Sequence, residues 1–149
     1  MIDITADFSD KDLEDWINAD AQAWFDGLLE KFRIAGRQFT ERARAKAKPE
    51  KDAFGNITWN LRSSIGYVLI YQQKVIESYF PVLKTGSLGS QTGENYAREI
   101  ALLINEGDGI ELVMVAGMEY ASLVEDRGLD VISGSSALFE AEVTKLLAA

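Results

Sequence analysis

The chain contains neither cysteine nor histidine. The first absence excludes disulfides, thiolate metal sites and cysteine nucleophiles; the second removes the commonest general base and the commonest transition-metal ligand. A Ser-His-Asp arrangement is impossible within one chain. Carboxylate chemistry survives both absences, as do Ser-Lys pairs and Mg²⁺ or Ca²⁺ sites built on oxygen ligands. No apolar run approaches the roughly 20 residues needed to cross a bilayer. The start, Met1-Ile2-Asp3-Ile4-Thr5, has no basic segment leading into an apolar one. These absences predict a soluble protein made in the cytoplasm, with no membrane partner, no cofactor and no enzymatic activity.

What is present suits one folded domain. The 149 residues are 47% hydrophobic and 10% aromatic, enough for a chain of this length to bury roughly two thirds of its unfolded surface. The net charge of −9 is unevenly spread. Residues 1–30 carry nine acids against Lys11, a net of −8, whereas residues 31–51 carry eight bases against Glu41 and Glu50, a net of +6. Residues 52–89 come to +1, and residues 90–149 return to −8 with eleven acids against three bases. A chain polarised in this way can pair its own ends or pair head to tail with copies of itself.

Ser9-Asp10-Lys11-Asp12 is an N-cap with an acid three residues on, so a helix is predicted to begin there. Leu13, Trp16, Ile17, Trp24, Phe25, Leu28, Phe32, Ala35, Phe39 and Ala43 follow helical spacing, and Pro49 marks the stop. The helical segment then covers about residues 9–48, with a bend or break expected near Gly27 or Gly36. Within the remaining 57–149, a short helical turn is predicted over Trp59–Ser64. Gly66–Tyr71 and Lys74–Phe80 read as an antiparallel hairpin around Gln72-Gln73. A mobile loop is predicted over 84–93, a helix over Glu94–Glu106 and a strand over Ile110–Val115. A short helix over Tyr120–Glu125, an extended piece over Leu129–Ile132 and a last helix over Ala137–Leu147, capped by Ser133 or Ser135, complete the reading. This succession predicts an α+β domain with a long N-terminal helix, a small and mostly antiparallel sheet, an inserted helix and a C-terminal helix packed on the sheet.

Three segments invite a chemical reading. Gly86-Ser87-Leu88-Gly89-Ser90-Gln91-Thr92-Gly93 is glycine-rich ahead of a helix but lacks the Lys-Ser/Thr pair of a phosphate loop. If it functions, it threads between neighbouring subunits, which makes Gly86 and Gly89 assembly candidates. Glu119, Glu125, Asp126 and Asp130 fall within twelve residues, and a carboxylate-dependent metal hydrolase or nuclease built on them is the alternative reading. Their spacing matches no EF-hand. A generic cellular interaction module is a further alternative. The basic 31–51 stretch carries no groove-reading motif, so sequence-specific nucleic-acid recognition is not expected.

Two further stretches combine apolar anchors with charges beside strand-like runs: Thr58-Trp59-Asn60-Leu61-Arg62-Ser63-Ser64-Ile65 and Tyr120-Ala121-Ser122-Leu123-Val124-Glu125-Asp126-Arg127-Gly128. Together they resemble the head–tail joining and tail-completion proteins of long-tailed bacteriophages. In that family a Thr-Gly-x-Leu-Arg-x-Ser-Ile type segment feeds the sheet and a later Tyr-Ala-x-x-Val-Glu-x-Gly type segment follows another strand. The order here is the same, with Trp59 where the family usually has Gly and with Asp126-Arg127 lengthening the second segment. The resemblance implies a structural connector, neck or tail-completion protein that forms a ring oligomer and touches other phage connector or tail proteins. DNA would pass through the lumen, and the protein would move from host cytoplasm to virion. It implies assembly roles for Leu61, Arg62, Tyr120, Glu125 and Arg127, with core packing the alternative for Leu61 and Tyr120; a charge-assisted Arg62–Glu125 pair, within or between subunits, is expected to hold the sheet to the short helix.

Overall fold

A computed structural model describes residues 9–45, 58–104, 107–119, 121–126 and 131–149. The first helix, α1 (Asp10–Ala45), starts as its sequence dictates. The Asp12 carboxylate accepts from the Ser9 amide at 2.8 Å, and the Ser9 hydroxyl accepts from the Asp12 amide at 3.2 Å. Hydrogen bonds to the carboxylate from the Ser9 hydroxyl, at 2.6 Å, and from the Ser9 amide hold the Asp12 carboxyl below its ordinary range. The helix runs through Gly27 and Gly36 without the expected break. At Gly36 the reason is packing: a methyl there would come within 2.7 Å of the Tyr67 ring. The glycine lets the helix lie directly on the sheet, which offsets its cost of about 1 kcal/mol in helix propensity.

The short helix α2 (Asn60–Ser63) leads into β1 (Ile65–Tyr71), which turns back as β2 (Lys74–Tyr79). Gln72 and Gln73 both take positive φ, 47° and 62°, as the tight hairpin turn requires even without glycine. The register shifts between Leu69 and Ile70, a bulge that leaves Ile76 of β2 unpaired. After α3 (Ser87–Ile104), β3 (Ile110–Ala116) pairs antiparallel with the other side of β1, giving the order β2-β1-β3. Helices α4 (Ala121–Asp126) and α5 (Ser133–Ala148) complete the chain. The α+β architecture expected from the sequence is thus present. Val131 and Ile132 form a bend, and among the described residues the sheet has three strands; Leu129 and Asp130 of the expected extended piece lie outside the described residues.

The central strand is buried on both faces. Val68 and Ile70 pack with Phe80, Val113, Val115, Ala97 and Ala101 under α3. On the opposite face Ile65 joins Leu61, Phe39, Ala43, Ala121 and Val131, with Phe139 of α5 packed against the cluster. Phe139 meets Phe39 edge-on at 6.0 Å, fixing α5 along α1. The basic segment pairs with the acidic C-terminal segment through Arg42 and Glu142 of α5, while Arg33 bonds Glu77 of β2.

The corner where α1, α2 and β1 meet is held by Arg44. Its buried guanidinium donates to the carbonyls of Ile65 at 2.7 Å, Ser63 at 3.2 Å and Pro81 at 2.9 Å. Burial pushes its pKa down to about 10. Arg44→Met keeps the apolar stem but leaves those carbonyls without their charged donor. Urea unfolding is expected to show a loss of about 3 kcal/mol, a large fraction of a domain's stability.

Candidate functional site

The two family-like stretches meet in space. Leu61 is fully buried in the same cluster as Ala121, against which Met118 and Val124 also pack. Leu61 is therefore a core residue and not a surface assembly contact. Tyr120 and Arg127 lie outside the described residues.

The expected Arg62–Glu125 pair within the chain does not form, because each side chain is engaged elsewhere. Arg62 reaches back to the last turn of α1, donating Nε to the Arg44 carbonyl at 2.9 Å and a second bond from Nη2. This satisfies a carbonyl that the helix end leaves orphaned, with a cation at the negative pole of the helix dipole. Burial pushes the Arg62 pKa down. Glu125 instead receives the start of α5: Oε2 accepts from the Val131 and Ile132 amides at 3.2 and 3.3 Å, and Oε1 from the Ser133 amide at 3.0 Å. No side chain of α5 caps its own N-terminus. Ile132 is the N-cap residue, and Ser135, expected as a cap, is buried with its hydroxyl unpartnered.

Trp59 precedes α2 with φ 61°, the left-handed region that favours glycine. The Trp59 ring, carried on this glycine-like backbone, packs under two cations. Arg62 lies over it at 5.3 Å and Lys84 at 4.0 Å.

The expected mobile loop over 84–93 is largely helix, since α3 already starts at Ser87. Gly86, Gly89 and Gly93 are buried along the side of α3 that meets α2. A methyl at Gly89 would overlap the backbone of Asn60, and one at Gly93 would overlap that of Ser64. Asn60 also accepts from the Gly89 amide at 3.1 Å. These glycines are close-packing positions, so neither a phosphate cradle nor a threading loop is formed there.

Between α3, β3, α4 and α5 runs a groove of about 490 Å³ lined by Tyr96, Ile100, Met114 and Ile132 together with Glu125 and Asp126. Its lining is mostly apolar, suited to an apolar side chain more than to a charged substrate. Among the described residues no three carboxylates gather into a possible metal site; Asp130 of the acidic cluster lies outside them. None of the helices is long and apolar enough to cross a membrane, among the described residues. No protein-family model, curated protein or solved structure matches the chain.

Burial alone would push the Glu125 carboxyl up, but the hydrogen bonds from Ser133, Ile132 and Val131 outweigh it and hold the group below its ordinary value of 4.5. A folded-state pKa below the unfolded one contributes stability at neutral pH, which is lost as the pH falls below 4.5 through the folded value. Glu125→Gln is expected to cost about 1 kcal/mol at neutral pH. Parallel melts at decreasing pH should show the gap to wild type closing below that point.

Gly89→Ala sets two effects against each other. Alanine favours a helix by about 1 kcal/mol over glycine, but the overlap with Asn60 forces α2 and α3 apart, at about 1–3 kcal/mol or more. Net destabilisation is expected on chemical unfolding, whereas Ser87→Ala, at an exposed position of the same helix, should stay within about 0.5 kcal/mol of wild type.

Proposed function

We propose that this protein is a structural component of a long-tailed bacteriophage or prophage, of the head–tail connector, neck or tail-completion type. It acts through self-association into a ring and through contacts with other connector or tail proteins. The observation that carries the reading is the joining of the two family-like stretches. Sixty residues apart in sequence, Leu61 and Ala121 share one core cluster, and Trp59 keeps a backbone that suits the family's glycine. The residues that looked most open to chemistry have structural partners: Glu125 holds the start of α5 and Arg62 the end of α1. Net negative charge suits a lumen through which DNA slides without sticking, because an acidic wall repels the phosphate backbone. In this role the protein passes from host cytoplasm into the virion at the junction or tail end.

The test is binding of the purified chain to isolated tails and to DNA-filled heads of its own phage, followed by co-sedimentation. Retention on one particle type is expected, at the end that lacks its joining proteins. Failure of a well-folded protein to bind either particle would contradict the connector reading.

A further inference from the structure

The first part of α1 lies at the surface of the described residues. Every residue from Ser9 to Trp24 is exposed; Phe25, which meets Tyr71 at 4.5 Å, marks where the helix reaches the body. An isolated helix of this length is marginal in water, because nucleation is costly and tertiary packing supplies most helical stability. Leu13, Ile17 and Trp24, spaced by four and seven residues, lie on one face and are 43%, 59% and 69% exposed. Residues 10–24 hold five acids (Asp10, Asp12, Glu14, Asp15, Asp20) against Lys11, a net of −4. The arm therefore suits a surface that is apolar and cationic.

Such a surface lies at the opposite end of the same molecule. Arg62, bonded to the Arg44 carbonyl, and Lys84 both lie over Trp59, and neither pairs with a carboxylate among the described residues. Val82 and Leu88 flank Lys84 in sequence and are 53% and 60% exposed. The 36 residues of α1 put about 54 Å between its two ends, so arm and cationic end cannot meet within one chain. Two arms docked on each other would bring like charges together, which costs affinity. Along the basic half of α1, Arg33 and Arg42 are ion-paired, Arg44 is buried and Arg37 lies over the Tyr79 ring.

We propose that residues 10–24 of one copy dock head to tail on the Trp59–Lys84 end of a second copy of this chain. A contact between different patches repeats from copy to copy and closes into a ring when its rotation permits. The inference names the surfaces behind the self-association proposed above, yet it stands on exposure and charge alone. Its failure would leave particle binding by the single chain untouched.

Two variants test it. One carries Ile17→Glu with Trp24→Glu in the arm; the other carries Lys84→Glu with Leu88→Glu at the far end. All four sites are exposed or at the surface rim, and circular dichroism checks that both variants fold; should a double variant not fold, Trp24→Ser or Lys84→Ala replaces it. In sedimentation velocity at low salt, wild type is expected to grow in mass with concentration, and to shrink again as salt screens the charges. Each variant alone should remain monomeric. An equimolar mixture should give a species of twice the monomer mass, because one intact arm meets one intact end. A wild type that stays monomeric at millimolar concentration, a far-end variant that still dimerises, or a mixture that stays monomeric would each overturn the proposal.

Discussion

The guanidinium of Arg44 is the constraint on which the rest of the architecture depends. A cation buried without a carboxylate is costly unless its donors are satisfied, and here three backbone carbonyls from the α2–β1 corner and the segment after β2 satisfy them. Because those carbonyls belong to chain segments far apart in sequence, one side chain fixes where the end of α1 sits relative to the sheet. Arg62 then closes the arrangement from the other direction by bonding the Arg44 carbonyl. Two cations side by side repel, which adds to the lowering of the Arg44 pKa behind its larger cause, burial. They are held together by backbone oxygens and not by charge neutralisation.

From that corner the layers follow. Gly36 brings α1 onto Tyr67, whose hydroxyl donates to Glu77 at 2.8 Å, and Glu77 also accepts from Arg33. Hydrogen bonds from Arg33 and Tyr67 hold the Glu77 carboxyl below its ordinary range despite its burial. On the other face Gly89 and Gly93 let α3 approach the backbone of α2 and of the turn into β1. The sheet is thereby clamped between two helices, both seated through glycine. What remains outside the clamp is the first part of α1 and the cationic surface around Trp59.

Much of this was legible in the residues. The Ser9–Asp12 box placed the start of α1, and the β-branched and aromatic runs around Gln72-Gln73 placed the hairpin, since both signals act between near neighbours in sequence. The helical start of α3 is hidden in the sequence because Gly86, Gly89 and Gly93 read as helix breakers. Their spacing in fact continues through Ala97 and Ala101, a stripe of small residues on one helix face that the sequence alone could have revealed. The partners of Glu125 and Arg62 were not legible, because backbone amides and carbonyls look the same at every position. Nor does the apolar pattern of α1 distinguish the stripe buried on the sheet from the one left exposed: Phe39 is buried and Trp24 exposed, although both fit helical spacing.

The helix α1 divides into a half anchored on the sheet and a first half that lies exposed among the described residues. Amide hydrogen exchange resolved along α1, in dilute and in concentrated protein, tests this most directly. Strong protection over residues 29–44 and weak protection over 10–24 is the predicted pattern for the dilute chain, with the arm gaining protection as the protein self-associates. Equal protection along the whole helix in the dilute monomer would mean that the arm is already held by its own chain, and would contradict the account.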